Sequence, residues 1–176
     1  MATIDRMNIR YEGETGNTPD IYNKRCFNVT KPVGSGQVNE FGDVLVVQAL
    51  FDFLGSDENP NRDMLKILEI KLAKVTGFFD NDTAKMILRF QRGGGYRSLS
   101  TISADGIVHP ASLAGRVLRA GARQMTIVQL NREAAWGASA KHAHDLVSTM
   151  LAKYPMLKGV ANDNTGGKAG PIKLPV

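Results

Sequence analysis

The sequence predicts a mainly α-helical fold: a compact three-helix core with short strands, then a long C-terminal helix and extended tails. Three observations carry this. Apolar residues recur at three- and four-residue spacing over residues 40–54, 61–75 and 82–92, the period of one helix face. A further run of that period covers residues 134–154. Polar stretches rich in Gly, Pro and Asn separate these runs and fill both ends of the chain. The expected units are an N-terminal arm at 1–25, a helical domain at 26–120, a strand and helix packed on it at 121–158, and a flexible tail at 159–176.

Taken in order, residues 1–25 are polar and read as a loose arm, with one short strand around Met7–Tyr11. Cys26–Thr30 reads as a short strand entering the core. Gly34 and Gly36 turn the chain into the first helix, where Asn39 can accept an orphan backbone N–H as a cap. Glu40 and Asp43 place negative charge at the positive helix end. Val44, Val47, Leu50, Phe51 and Leu54 form a strongly amphipathic face, and Gly55 stops the helix. The second helix is expected from Asn61 to Val75 on Leu65, Leu68, Leu72 and Val75, ending at Gly77. Asp80–Thr83 caps a third helix to Arg92, with Ala84, Ile87, Leu88, Phe90 and Gln91 inward.

Gly93–Gly95 breaks that helix and opens a connection that exposes Tyr96 and Arg97. Pro110 suits the first position of a short helix carrying Leu113, Val117 and Leu118. Met125–Leu130 reads as a strand, and Asn131 as the cap of the next helix. That long helix is expected over Ala134–Tyr154, with Gly137 and Ser139 able to divide it and Pro155 to end it.

A chain of 176 residues that is 43% apolar can bury a substantial core. Its net charge is +5, unevenly spread. Residues 1–88 hold 10 Lys/Arg and 13 Asp/Glu, and residues 89–176 hold 12 and 4, so the halves carry −3 and +8. The basic half should attract an anionic partner. Cys26 is the single cysteine, which excludes an intrachain disulfide. The N-terminal MATIDRMNIRYEGETG lacks the apolar core of a signal peptide, and no apolar run reaches the roughly 20 residues needed to span a bilayer. The expectation is synthesis in the cytoplasm, with any export to the periplasm or envelope by a signal-independent route.

The run Gly34-x-Gly36-x-x-Asn39-x-x-x-Asp43-Val44-x-x-Val47-Gln48-x-Leu50 resembles the opening of the peptidoglycan-binding domain-like family. Gly77-x-x-Asp80-x-x-Thr83 with Ile87 and Phe90-Gln91 resembles its second signature, and Asp105-Gly106-x-Val108-x-Pro110-x-Ser112-Leu113 its closing segment. The three blocks fall in the family's order over about residues 33–120. The resemblance implies a compact module of about three helices, which in that family usually accompanies cell-wall hydrolases and helps them bind peptidoglycan. The loop before the second helix and the Gly93–Ala104 connection are both longer than the family's pattern, and the segments outside the match do not read as a hydrolase.

The residues do not point to catalysis. A cysteine–histidine hydrolase would need Cys26 beside His109, His142 or His144. The one histidine cluster, His142-x-His144-Asp145, has a spacing that points its histidines apart on a helix, so no metal or cofactor is expected. Glu40, Asp43, Glu58, Glu69 and Glu133 are the carboxylates a muramidase could use, but no pairing among them is visible. Gly34-x-Gly36 lacks the third glycine and lysine of a phosphate loop.

For binding, the candidate residues are Arg92, Tyr96, Arg97, Arg116, Arg119 and Arg123, with Arg89 beside them. On a helix, Arg116, Arg119 and Arg123 would share one face. No nucleic-acid motif is present and aromatics do not interleave with the arginines, which argues against nucleic acid. The expected function is non-catalytic binding of cell-wall glycopeptide. The alternative is a protein-interaction adaptor of a contact-dependent secretion system or phage-like particle, which would engage an acidic partner through Ala134–Val176.

Overall fold

Ala2–Glu12 of the polar N-terminal stretch, expected as a loose arm, is the middle strand of a sheet. The computed structural model describes residues 1–12, 21–59, 62–67, 69–93, 102–111, 116–119, 125–137 and 145–166. Its elements are β1 (Ala2–Glu12), β2 (Ile21–Asn28), β3 (Val33–Gly34), α1 (Phe41–Leu54), α2 (Arg62–Ile67), α3 (Asn81–Gly93), β4 (Ile107–Val108), β5 (Arg116–Arg119), α4 (Thr126–Gly137), α5 (Leu146–Lys153) and β6 (Ala161–Asp163). Short 3₁₀ turns at Pro155–Gly159 and Asn164–Gly166 flank β6.

β1 pairs antiparallel with β2, from Thr3 opposite Asn28 to Ile9 opposite Ile21. Its other edge is shared: β6 runs parallel to residues 2–4 and β5 parallel to residues 9–12. Parallel neighbours need crossovers. Here α1–α3 lie between β2 and β5 in the chain, and α4 and α5 lie between β5 and β6. The fold is therefore mixed α/β rather than mainly α. The tail expected from residue 159 is tied into the sheet as far as the turn after β6. A second, two-residue ladder joins β3 to β4, bringing Val33 opposite Val108.

Helix α1 is enclosed. Of its residues only Phe41 and Asp52 escape full burial. A helix apolar all round belongs in a core, so the amphipathic face expected from the sequence is only part of what is covered. One apolar cluster takes in Ala2, Ile4 and Phe27 of the sheet, α1, Phe90 of α3, Leu130 of α4 and Met150 of α5. Phe51 and Phe90 meet edge to face at 5.2 Å. Tyr154 closes the far end, its hydroxyl donating to Asp52 at 2.6 Å.

Buried side-chain amides and one carboxylate fix the loops around α1. Gln48 Oε1 accepts the Thr76 and Gly77 N–H groups at 2.9 and 2.8 Å, while its Nε2 donates to Phe78 O and Thr83 Oγ1. Gly77 is required there: its φ is +77°, and a Cβ would lie 2.4 Å from Phe41 Cε2. Asp43 accepts from Thr30 N, Thr30 Oγ1 and Lys31 N. Asn39 is not the cap; Glu40 holds that position with no side-chain bond. Asn39 has φ +53°, so the chain turns two residues before the helix and its amide reaches back to Gly34 and Gln37.

Several expected elements change. The second helix stops at Ile67 rather than Val75. Glu69 sits at φ +51°, Ile70 N donates to Leu65 O, and Glu69 N donates to Lys66 O, the paired bonds of a Schellman stop. A non-glycine residue there costs about 1 kcal/mol. Met125–Leu130 is helical, not a strand: residues 126–134 are buried on every side of α4, so no helical period marks them. Asn131 therefore lies inside α4, and its amide pairs with both backbone groups of Phe27. The long C-terminal helix is two helices, α4 ending at Gly137 and α5 starting at Leu146. The short helix expected after Pro110 gives way to β5.

Replacing Gln48 with Ala should cost about 2–4 kcal/mol in chemical denaturation, since it strands two N–H groups of a buried turn. Asp80 gives a pH test. The Thr83 hydroxyl and then the Thr83 N–H hold its carboxyl below the ordinary value. A depressed folded-state value means this stabilisation is complete above the ordinary carboxylate range and is lost as pH falls through the lower value. Asp80→Asn should be less stable at neutral pH and show a shallower decline in stability on acidification.

Candidate functional site

Helix α3 presents two faces. Thr83, Met86, Ile87, Phe90 and Gln91 point inward, so the inner face includes Thr83 and Met86 in place of the expected Ala84 and Leu88. Gln91 mirrors Gln48: it accepts Gly106 N at 2.7 Å and donates to Ile107 O, Asp105 and Thr126 Oγ1. This locks the Asp105–Gly106 turn and the start of α4 onto α3. Burial pushes the Asp105 carboxyl up, but the Ile107 N–H, the Gln91 amide and His109 outweigh it and hold it below the ordinary value.

The outer face carries Lys85, Arg89 and Arg92, at the i, i+4, i+7 positions of one helical stripe. Because α2 ends at the Glu69 stop, residues 69–71 lie beside this stripe and close a groove of about 390 Å³. Its floor is Ile70, Met86 and Leu88. Four cations, Lys71, Lys85, Arg89 and Arg92, face two carboxylates, Glu69 and Asp82. Glu69 meets Arg89 at 2.6 Å and Asp82 meets Lys71 at 3.7 Å. Among the described residues, Lys85 and Arg92 form no ion pair. The groove therefore keeps a net positive field over an apolar floor, suited to an anionic ligand with aliphatic parts.

Of the residues named from the sequence, Arg92 lies in this groove with Arg89. Tyr96, Arg97 and Arg123 lie outside the described residues. Arg116 and Arg119 lie on β5, so the helical face expected to align Arg116, Arg119 and Arg123 does not form. A strand lacks the 3.6-residue period on which that alignment rests. Lys85 is not among the sequence candidates, although its spacing to Arg89 and Arg92 is visible in the chain. Lys71 and Glu69 escape a sequence reading because the apolar spacing of the second helix continues to Val75.

Of the groups considered for catalysis, most of the described ones are engaged elsewhere, and Glu40 stands exposed without a side-chain bond at the start of α1. Cys26 is buried, and its thiol donates to the Asp5 carbonyl at 3.4 Å. Burial, then the Asp5 charge, push that thiol far above its ordinary range. His109 is exposed and faces Asp105 at 3.3 Å. His142 and His144 lie outside the described residues. Asp145 caps α5, accepting the Ser148 N–H and hydroxyl, and sits 3.7 Å from Arg25. Glu58 pairs with Lys153, Glu133 accepts from Gln129, and Asp43 is saturated by Thr30 and Lys31. Among the described residues, no cluster of three His, Cys, Asp or Glu could hold a metal. No described helix is long and apolar enough to cross a membrane.

Compared with known proteins, the chain matches no family model, no curated protein and no solved structure.

Cys26 should resist a thiol-reactive disulfide reagent in the native protein and react stoichiometrically only in denaturant. Rapid native labelling would mean the thiol is reached without unfolding.

Proposed function

We propose that the protein is a non-enzymatic binding module for the anionic glycopeptide of bacterial cell walls, with the α3 groove as its binding surface. The observation that carries this reading is the groove itself: four cations against two carboxylates over an apolar floor, with two of the cations unpaired among the described residues. Cell-wall glycopeptide joins carboxylates to aliphatic side chains and so offers complementary chemistry.

The resemblance to the peptidoglycan-binding domain-like family supports the same reading. Its three motif blocks hold one another in place here. Gln48 of the first block holds the Gly77 turn of the second, and Gln91 of the second holds the Asp105–Gly106 turn of the third. The lack of enzymatic activity is part of the proposal: a buried thiol, four candidate carboxylates engaged by other groups and an isolated exposed Glu40 leave no visible nucleophile or acid–base pair among the described residues.

Co-sedimentation with purified peptidoglycan, at low and physiological salt and with DNA-cellulose as control, tests this. Saturable binding that persists at physiological salt is expected. Lys85→Ala and Arg92→Ala should each weaken it about two- to fivefold, in line with exposed charge contacts. Binding that vanishes with salt and is matched on DNA would refute the reading. It would then turn attention to the adaptor alternative and an acidic protein partner.

A further inference from the structure

We infer that Glu69 is a resident carboxylate on Arg89, which a carboxylate of the peptide stem must displace to reach Arg89 in the α3 groove. This rests on the glycopeptide-binding reading above and names the part of the ligand the groove recognises.

The position of Glu69 is the first reason. It ends α2 with a left-handed backbone, φ +51°, where glycine or asparagine would serve at least cost. Its side chain contributes nothing to the core, being 77% exposed. What glutamate adds over glycine at this stop is its carboxylate. That carboxylate reaches across the groove to Arg89 Nη2 at 2.6 Å, from a residue twenty positions away in the chain. Backbone strain kept at the rim of a binding surface is a feature associated with function.

The surroundings of the pair supply the second reason. Lys85 and Arg92 lie about one helical turn to either side of Arg89 on the same stripe, roughly 6 and 4.5 Å away along the axis. An extended peptide repeats its same-side groups about every 6.5–7 Å. A short chain bearing more than one carboxylate can therefore meet Arg89 and one of its unpaired neighbours together, which Glu69 alone cannot. Ile70 and Leu88 beneath them, backed by the buried Met86, suit the aliphatic carbons between such carboxylates. The Glu69–Arg89 pair is exposed, so it is weak and screened, and it yields to a multivalent competitor. Displacing it costs every ligand that takes Arg89 the same amount, and a stem peptide offsets that cost through its second contact where a simple anion has none. Glu69 thus sets how much binding energy a ligand must bring to Arg89.

The test uses soluble muropeptides with free carboxylates, and the same muropeptides after chemical amidation, titrated against the full chain by calorimetry. Wild type should bind the free form and lose most binding on amidation. Glu69→Gln and Glu69→Gly should bind the free form about two- to fivefold more tightly. Glu69→Gly keeps the backbone stop, so a gain shared by both variants excludes a folding artefact. On an Arg89→Ala background, Glu69→Gln should give no gain, because the pair it relieves is gone. Equal or weaker binding by both Glu69 variants, with wild type still binding, overturns this inference and leaves the glycopeptide reading standing. Undiminished binding after amidation also overturns it. Tighter binding to a poly-glutamate peptide than to muropeptides overturns the assignment to the stem. Failure of wild type to bind either muropeptides or sacculi overturns the glycopeptide reading itself.

Discussion

Enclosing α1 on all sides sets the terms for the rest of the molecule. Apart from Phe41 and Asp52, a helix in that position has no surface left for water, so each polar group it carries inward must find a partner within the protein. Asp43 and Gln48 are the two such side chains, and each meets the requirement by binding loop backbone. The cost of an unmade bond on a buried amide thus becomes positional information. Gln48 can be satisfied only when Thr76, Gly77, Phe78 and Thr83 are in place, so the helix dictates where the chain turns into α3.

The same device is repeated outward from the core. Gln91 clamps the Asp105–Gly106 turn and reaches Thr126 at the start of α4. Asn28 exchanges two hydrogen bonds with Ala111, and Asn131 exchanges two with Phe27. Each amide matches a donor and an acceptor of a backbone segment distant in sequence from separate atoms, which an ionised carboxylate, having no donor, could not do. Side-chain amides therefore do between elements what ladders do within the sheet. The groove on α3 depends on this scaffold, because α3 is held from its N-terminal end by Gln48 and from its C-terminal end by Gln91.

The charges on the groove follow a different logic from the buried contacts. Glu69, Arg89, Lys71 and Asp82 are substantially exposed, so their ion pairs add little to stability and are free to be exchanged. Stability resides in the inward face of α3 and recognition in its outward face. This separation lets charges on the outer stripe vary without loosening the core. It also explains why the strained backbone at Glu69 is tolerated, since it lies at a helix end outside the apolar cluster.

Much of this is legible in the chain. The positions of α1 and α3, the glycine stop at residue 55, the Asp80–Thr83 start and the turns at Gly77 and Asp105–Gly106 follow from local rules: apolar period, capping chemistry and glycine's access to positive φ. The spacing of Arg89 and Arg92 on one helix face is readable for the same reason. Local rules could not show that β1 is a central strand, because its parallel partners β5 and β6 lie more than 100 residues away and each pairs with only a few of its residues. Nor could they separate α4 from a strand, since burial on every side erases the period that distinguishes them. The end of α2 before Glu69 was equally hidden, as the apolar residues continue to Val75 in helical spacing while packing in a segment without regular structure. The sequence by itself determined where the chain turns and which residues are apolar, because those are properties of neighbouring residues. Only the tertiary structure decided which segments pair, which helix is enclosed and which charges face one groove, because those depend on contacts between residues far apart in the chain.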